Sequence, residues 1–175
     1  PPQQPRLVPV TWQPTRPATL TLTSGSTGQP KAVVHSAQSQ LASAAGLLEW
    51  MDYGEQDSWL LSLPLFHISG LAIVWRWLYR GAGLVIAEPA QFETALAAVT
   101  HASLVPTQLQ RLLVSQDRSD SPSLALKQVL LGGAVIPVSL TKQAEAAGIN
   151  CWCGYGLTEM GSTVTAKRAD ASSGV

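Results

Sequence analysis

The chain has 175 residues, about one domain's worth, and a chain of that length can bury roughly 70 % of its unfolded surface. Eleven Lys plus Arg balance eleven Asp plus Glu, which excludes the basic footprint of a nucleic-acid binder or of a protein held to an anionic membrane. Charged residues are only 13 % of the chain and hydrophobic ones 46 %, against about 25 % charged in an average globular protein, so much of the surface is expected to be covered by further protein.

Residues 1–18, PPQQPRLVPVTWQPTRPA, are Pro-rich and without periodicity, and read as an extended linker. They open without Met, so the chain is expected to be a processed or excised piece. From Thr19 strand-like and helix-like stretches alternate. Thr19–Thr23 is a β-branched strand that runs into a Gly-rich loop, Ser24 to Lys31. Ser36 is a plausible N-cap for a helix over 37–51, with Leu41, Ala44, Leu47 and Leu48 at helical spacing. A strand over 59–63 is stopped by Pro64, followed by a helix over 68–79 and a short strand over 84–87. Further on come a helix (92–99), a strand (102–105), a helix (107–114), a strand (128–131), a helix (137–147) with Pro in its first turn, and strands over 149–153 and 162–166. This alternation predicts an α/β fold, a mostly parallel sheet with helices on both faces. In such sheets ligands collect beyond the carboxyl ends of the strands, and the three polar stretches described next all fall there.

Cys151 and Cys153 form C-x-C, too close for an ordinary structural disulfide and without the partners of a zinc site. They read as two small side chains on one face of a buried strand. Free thiols, no signal peptide and no apolar run near 18 residues point to a cytoplasmic protein without a membrane span. A homo-oligomer is compatible with these features.

The Gly-rich loop is Thr23-Ser24-Gly25-Ser26-Thr27-Gly28-Gln29-Pro30-Lys31. Its glycines let backbone approach a ligand, its hydroxyls and N–H groups can converge on phosphate oxygens, and Lys31 adds a cation. No Gly-Lys-Ser/Thr follows, so it is not a Walker loop, nor does it match the three-glycine dinucleotide pattern. A second block is Pro64-Leu65-Phe66-His67-Ile68-Ser69-Gly70. The third, Gly154-Tyr155-Gly156-Leu157-Thr158-Glu159, offers an aromatic face, a hydroxyl and a carboxylate in succession at a strand end.

Together these blocks resemble the signatures TSGSTG-x-P-K, PLFHxxG and YGxTE of the adenylate-forming family, which joins a carboxylate to AMP and then to a thiol. The resemblance implies that Ser24, Gly25, Ser26, Thr27, Gly28 and Lys31 cradle the β- and γ-phosphates of ATP. It implies that Tyr155 stacks on adenine beside Gly156, that Thr158 meets the α-phosphate, and that Glu159 holds Mg²⁺. Gly132, Gly133 and Ala134 follow a strand and would accept the flat adenine or the substrate ring. His67 and Ser69 would line the carboxylate pocket or the path of the CoA thiol, and the absence near them of the Asp of amino-acid-activating relatives speaks against a peptide-synthetase module. Lys31, His67, Thr158 and Glu159 are thus the expected catalytic set, and ATP, Mg²⁺ and CoA the expected cofactor and co-substrates. His35 and His101 read as structural.

The stretches Trp59 to His67, Trp75-Arg76-Trp77-Leu78-Tyr79, Ala102 to Gln108 and Leu130 to Ala134 are similar to one branch of that family, the 2-succinylbenzoate–CoA ligases of menaquinone biosynthesis. The likeness covers about 19–166. The implied substrate is an aromatic dicarboxylate, and Arg76 is the natural clamp for its second carboxylate. By the family's pattern residues 19–175 are a partial AMP-binding domain, with N-terminal parts and a lysine-bearing C-terminal domain lying elsewhere, and the chain alone is expected to lack ligase activity. Another acyl- or aryl-CoA ligase and a non-catalytic nucleotide-binding fragment are the alternatives.

Overall fold

The computed structural model describes residues 11–23, 29–116 and 123–169. Strands β1 (Pro17–Thr23) and β2 (Lys31–Ser36) form an antiparallel pair with Thr23 opposite Lys31. The pair therefore brackets the Gly-rich loop, whose residues Ser24 to Gly28 lie outside the described residues. Strand β2 is not legible as a strand, because Lys31-Ala-Val-Val-His35 has no clean apolar alternation. Pairing with β1 supplies what the pattern lacks; His35 is buried and Val34 exposed. β1 also starts two residues before its expected start at Thr19, within the Pro-rich segment.

Helix α1 (Ala37–Leu48) begins where expected: the Ser36 hydroxyl accepts the Ser39 amide at 3.1 Å. It stops three residues short of Met51, which still packs into the core. The remaining elements are β3 (Ser58–Leu60), α2 (Ile68–Arg80), β4 (Gly83–Val85), α3 (Phe92–Ala98), β5 (His101–Leu104), α4 (Pro106–Gln116), β6 (Gln128–Leu131), α5 (Val138–Ala146), β7 (Asn150–Leu157) and β8 (Ser162–Arg168). Pro137 is the N-cap residue of α5 rather than its first helical position.

The main sheet has the order β4-β3-β5-β6-β7-β8, parallel except for the β7–β8 hairpin. From β3 the chain steps outward to β4, then crosses back to β5 on the other side of β3. The order therefore reverses between β3 and β5, and there the loops leaving the two strands part and open a crevice. Successive strand residues face opposite sides, so Trp59 and Leu130 enter one core with Leu47, Met51, Tyr53 and Ile73, while Leu60, Val129 and Leu131 enter another with Leu104, Leu109, Leu140 and Ile149. Helices α1 and α2 cover the first face and α4 and α5 the second. The C-x-C pair lies on the second: Cys151 is in that core and Cys153 packs against it, and burial pushes the Cys151 thiol up to about 12. No helix among the described residues is long and apolar enough to cross a membrane.

The start of α2 is held tightly against the Pro64 turn. A Cβ on Gly70 would stand 2.1 Å from the Pro64 carbonyl oxygen, so only glycine permits this approach. Gly46, on the exposed side of α1, meets nothing within 4 Å. In the full-length protein Gly46→Ala is expected to stabilise by about 0.5–1 kcal/mol. Gly70→Ala should destabilise by at least about 1–3 kcal/mol. Denaturant unfolding of the two variants checks the contrast; equal effects would contradict the packing of α2 on this turn.

Candidate active site

The crevice at the β3–β5 reversal is a cavity of about 570 Å³, within the usual range for a small-molecule site. Its wall follows the strand ends in order. After β3 come Leu63, Pro64, His67, Ile68 and Ser69, and Arg76 reaches in from α2. From β5 come Ser103, Leu104 and Val105, from β6 Leu131, Gly132 and Gly133, and from the β7–β8 hairpin Gly154 through Thr158, Ser162 and Thr163. The second and third sequence blocks thus share one cavity with Gly132, Gly133 and Arg76. Ala134 and Glu159 do not line it, though Glu159 is exposed on the turn beside Thr158.

The third block is less of a loop than expected. β7 continues through Leu157, so Gly154 to Leu157 are strand residues, and only Thr158–Met160 turn, in a single 3₁₀ turn. The extension is paid out in the hairpin with β8, where a bulge lies next to Gly156. A Cβ on Gly156 would meet the Ser162 carbonyl oxygen at 1.9 Å, which makes glycine obligatory in this close approach. Ser162 itself is held at φ 108°, a strained value for a residue with a side chain. Tyr155 is half-exposed at the rim, so its ring is available for stacking.

One contact ties strand β2, which follows the Gly-rich loop, to this turn. The His35 ring donates from Nε2 to the Thr158 carbonyl at 2.7 Å. Lys31 is four residues earlier on the same strand and shares the strand face of His35. Strand β2 is therefore anchored to the turn that carries Thr158. His35, expected to be structural, is structural in an informative way, since it positions a candidate site residue. His101 is purely structural: Nε2 meets the Asp52 carbonyl at 2.8 Å and Nδ1 the Thr100 hydroxyl at 2.8 Å, and burial holds its pKa below the usual histidine value. His67 is exposed at the N-terminus of α2, its ring 4.5 Å from that of Phe66.

Arg76 is the unusual group. It is 2 % exposed, and burial lowers its pKa to about 10, so it remains a cation at neutral pH. Buried charges normally carry a counter-charge. Among the described residues Arg76 has none: Nη1 donates to the Ser103 hydroxyl and Nη2 to that of Thr163, each at 3.2 Å, and Nε is buried without a partner. The guanidinium lies 5.1 Å from the centre of the Trp59 ring, which stacks in turn on His101 and meets Tyr53 edge-on. Among the described residues the single ion pair is Lys127–Asp57, at 3.0 Å. A buried cation with spare donors on an otherwise mainly apolar cavity is suited to an anionic ligand. Ser103 and Thr163 were missed in the sequence. The available signal was a hydroxyl in each of two expected strands.

No group of three or more potential metal ligands occurs among the described residues. Glu159 alone, an exposed carboxylate next to the cavity, fits a Mg²⁺ that is held mainly by water and by substrate phosphates.

Residues 2–174 match the family model described as AMP-binding enzyme. The 2-succinylbenzoate–CoA ligase of Salmonella typhimurium is 60 % identical over 95 % of this chain and 35 % of its own length, and that of Escherichia coli 61 % identical over 91 % and 34 %. The chain thus spans about a third of the length of these curated relatives. Among solved structures, a variant of E. coli MenE with bound OSB-AMS superposes with a TM-score of 0.83 at 59 % identity, over 92 % of this chain and 35 % of the other. Bacillus subtilis MenE in complex with ATP and magnesium ion superposes with a TM-score of 0.77 at 31 % identity, over 90 % and 34 %.

If His35 positions the turn, His35→Phe in the full-length protein leaves the Thr158 carbonyl without its donor. The expected result is a loss of about 1–3 kcal/mol in stability together with several-fold weaker binding of added ATP, the nucleotide held by the Bacillus subtilis relative. A stability loss with unchanged ATP binding would show that the contact does not serve the site.

Proposed function

The chain belongs to the AMP-binding enzyme family, and on that premise we propose that it forms the acid- and nucleotide-binding centre of an AMP-forming 2-succinylbenzoate–CoA ligase of menaquinone biosynthesis. The observation that carries the reading is Arg76, a buried cation without a counter-charge among the described residues, on the wall of the cavity that the second and third blocks line. The acid of the named relatives is an aromatic dicarboxylate: one carboxylate reacts, and the other needs a cation in the pocket.

Two steps make up the proposed reaction. In the first, a carboxylate oxygen of the acid attacks the α-phosphorus of ATP, forming the acyl–AMP bond and releasing pyrophosphate. In the second, the CoA thiol attacks the acyl carbon, forms the thioester and expels AMP. Neither step relies on a strong base; positioning and neutralisation of charge carry most of the acceleration.

Each residue has a part in that positioning. Arg76 clamps the non-reacting carboxylate through its free donors. The Thr158 hydroxyl donates to an α-phosphate oxygen, and Tyr155 stacks on adenine, whose edge is accommodated by the backbone of Gly132 and Gly133. Ser24, Gly25, Ser26, Thr27, Gly28 and Lys31 hold the leaving pyrophosphate. His67 and Ser69 border the space in which the acid carboxylate and the incoming thiol meet. Glu159 holds Mg²⁺, which when bound neutralises phosphate charge. The protein acts in the cytoplasm on small molecules.

The test uses the full-length ligase and initial rates of thioester formation. Arg76→Ala is expected to raise KM for 2-succinylbenzoate by about 10- to 100-fold, the range for losing a hydrogen-bonded charge partner. An unchanged KM would remove the assignment of the second carboxylate to Arg76, and turnover of a monocarboxylate but not of 2-succinylbenzoate by the unaltered enzyme would remove the substrate.

A further inference from the structure

We propose that Thr163 is a positioning residue that sets the Arg76 guanidinium for the substrate's second carboxylate and thereby helps the site prefer a dicarboxylate; this rests on the anion-binding role of Arg76 proposed above. The guanidinium is fixed from three directions: by the Ser103 hydroxyl on β5, by the Thr163 hydroxyl on β8, and by the Trp59 ring at 5.1 Å. All three are uncharged. A carboxylate in any of these places would pair with the cation and compete with the ligand. Hydroxyls satisfy two of its five N–H donors and leave its charge and remaining donors for an anion.

Of the three supports, Thr163 is the one whose placement depends on the hairpin. Trp59 and Ser103 stand on neighbouring parallel strands in the middle of the sheet, and both are buried. Thr163 is on the edge strand, half-buried, and opposite Gly156 across the hairpin. The residue before it is Ser162 with its strained φ, and five residues before it is Thr158. The hydrogen bond from Arg76 to Thr163 therefore joins α2, which carries the anion site, to the hairpin that carries the α-phosphate turn. An arginine side chain has many rotamers, and each contact that restricts it lowers the entropy lost when a ligand is clamped.

The experiment compares Thr163→Val and Thr163→Ser in the full-length ligase, with 2-succinylbenzoate and with the monocarboxylate benzoylpropionate as acids. Thr163→Val is expected to raise KM for the dicarboxylate about tenfold, with kcat and the monocarboxylate KM changed by less than about twofold. Thr163→Ser retains the hydroxyl and should return the dicarboxylate KM to within about twofold of wild type. In an Arg76→Ala background Thr163→Val should have no further effect, because the two side chains act as one unit. Should the valine variant not fold, as judged by circular dichroism, Thr163→Ala takes its place. An unchanged dicarboxylate KM, an equal rise for both acids, or full additivity with Arg76→Ala would overturn the role of Thr163. If Arg76→Ala raises the dicarboxylate KM and Thr163→Val does not, this inference fails alone; if Arg76→Ala has no effect, the anion site fails and takes the inference with it.

Discussion

A guanidinium buried among hydroxyls and a tryptophan face, with no carboxylate beside it among the described residues, is the constraint around which this molecule is arranged. Removing such a charge from water is unfavourable, and burial here draws the Arg76 pKa down to about 10. The surrounding structure compensates only in part. Two hydroxyl contacts and a cation–π contact hold the cation, while Nε has no partner. A fold built for stability alone would put an acid or an apolar side chain there. The incomplete compensation has a purpose if an anion arrives with the substrate, and the site then selects acids carrying a second negative charge.

The backbone explains why that charge faces the reacting groups. The strand order reverses between β3 and β5, so a crevice opens where their loops diverge, and α2 starts on its edge. Two glycines let the walls close in. Gly70 brings α2 onto the Pro64 turn, and Gly156 lets β7 lie against β8 where a Cβ would collide with the Ser162 carbonyl. Arg76 on α2 and Thr163 on β8 come within hydrogen-bonding distance because both approaches are made. The buried histidines reinforce the frame from below: His101 beneath Trp59, and His35 on the Thr158 carbonyl.

Much of this was legible in the residues themselves. The alternation of elements, the Ser36 cap and the placement of the second block after a strand follow from local patterns, since each depends on neighbours in sequence. Arg76 could be singled out by its chemistry. What could not be read depends on partners far along the chain. Strand β2 needs β1 to complete its pattern, and β7 runs four residues beyond its expected end because β8 pairs back onto it. The supports of Arg76 come from 27 and 87 residues away. Nothing local in Ala102-Ser103-Leu104 or Ser162-Thr163-Val164 says that their hydroxyls turn toward one cation.

The central claim, that Arg76 is an anion site kept free of any internal counter-charge, is tested most directly by a crystal structure of the full-length protein with 2-succinylbenzoate, the proposed acid, bound. The account predicts a carboxylate of the acid within hydrogen-bonding distance of Arg76, with the Ser103 and Thr163 contacts retained. An acid bound with both carboxylates away from Arg76, or a carboxylate side chain from elsewhere in the enzyme paired with its guanidinium, would contradict it.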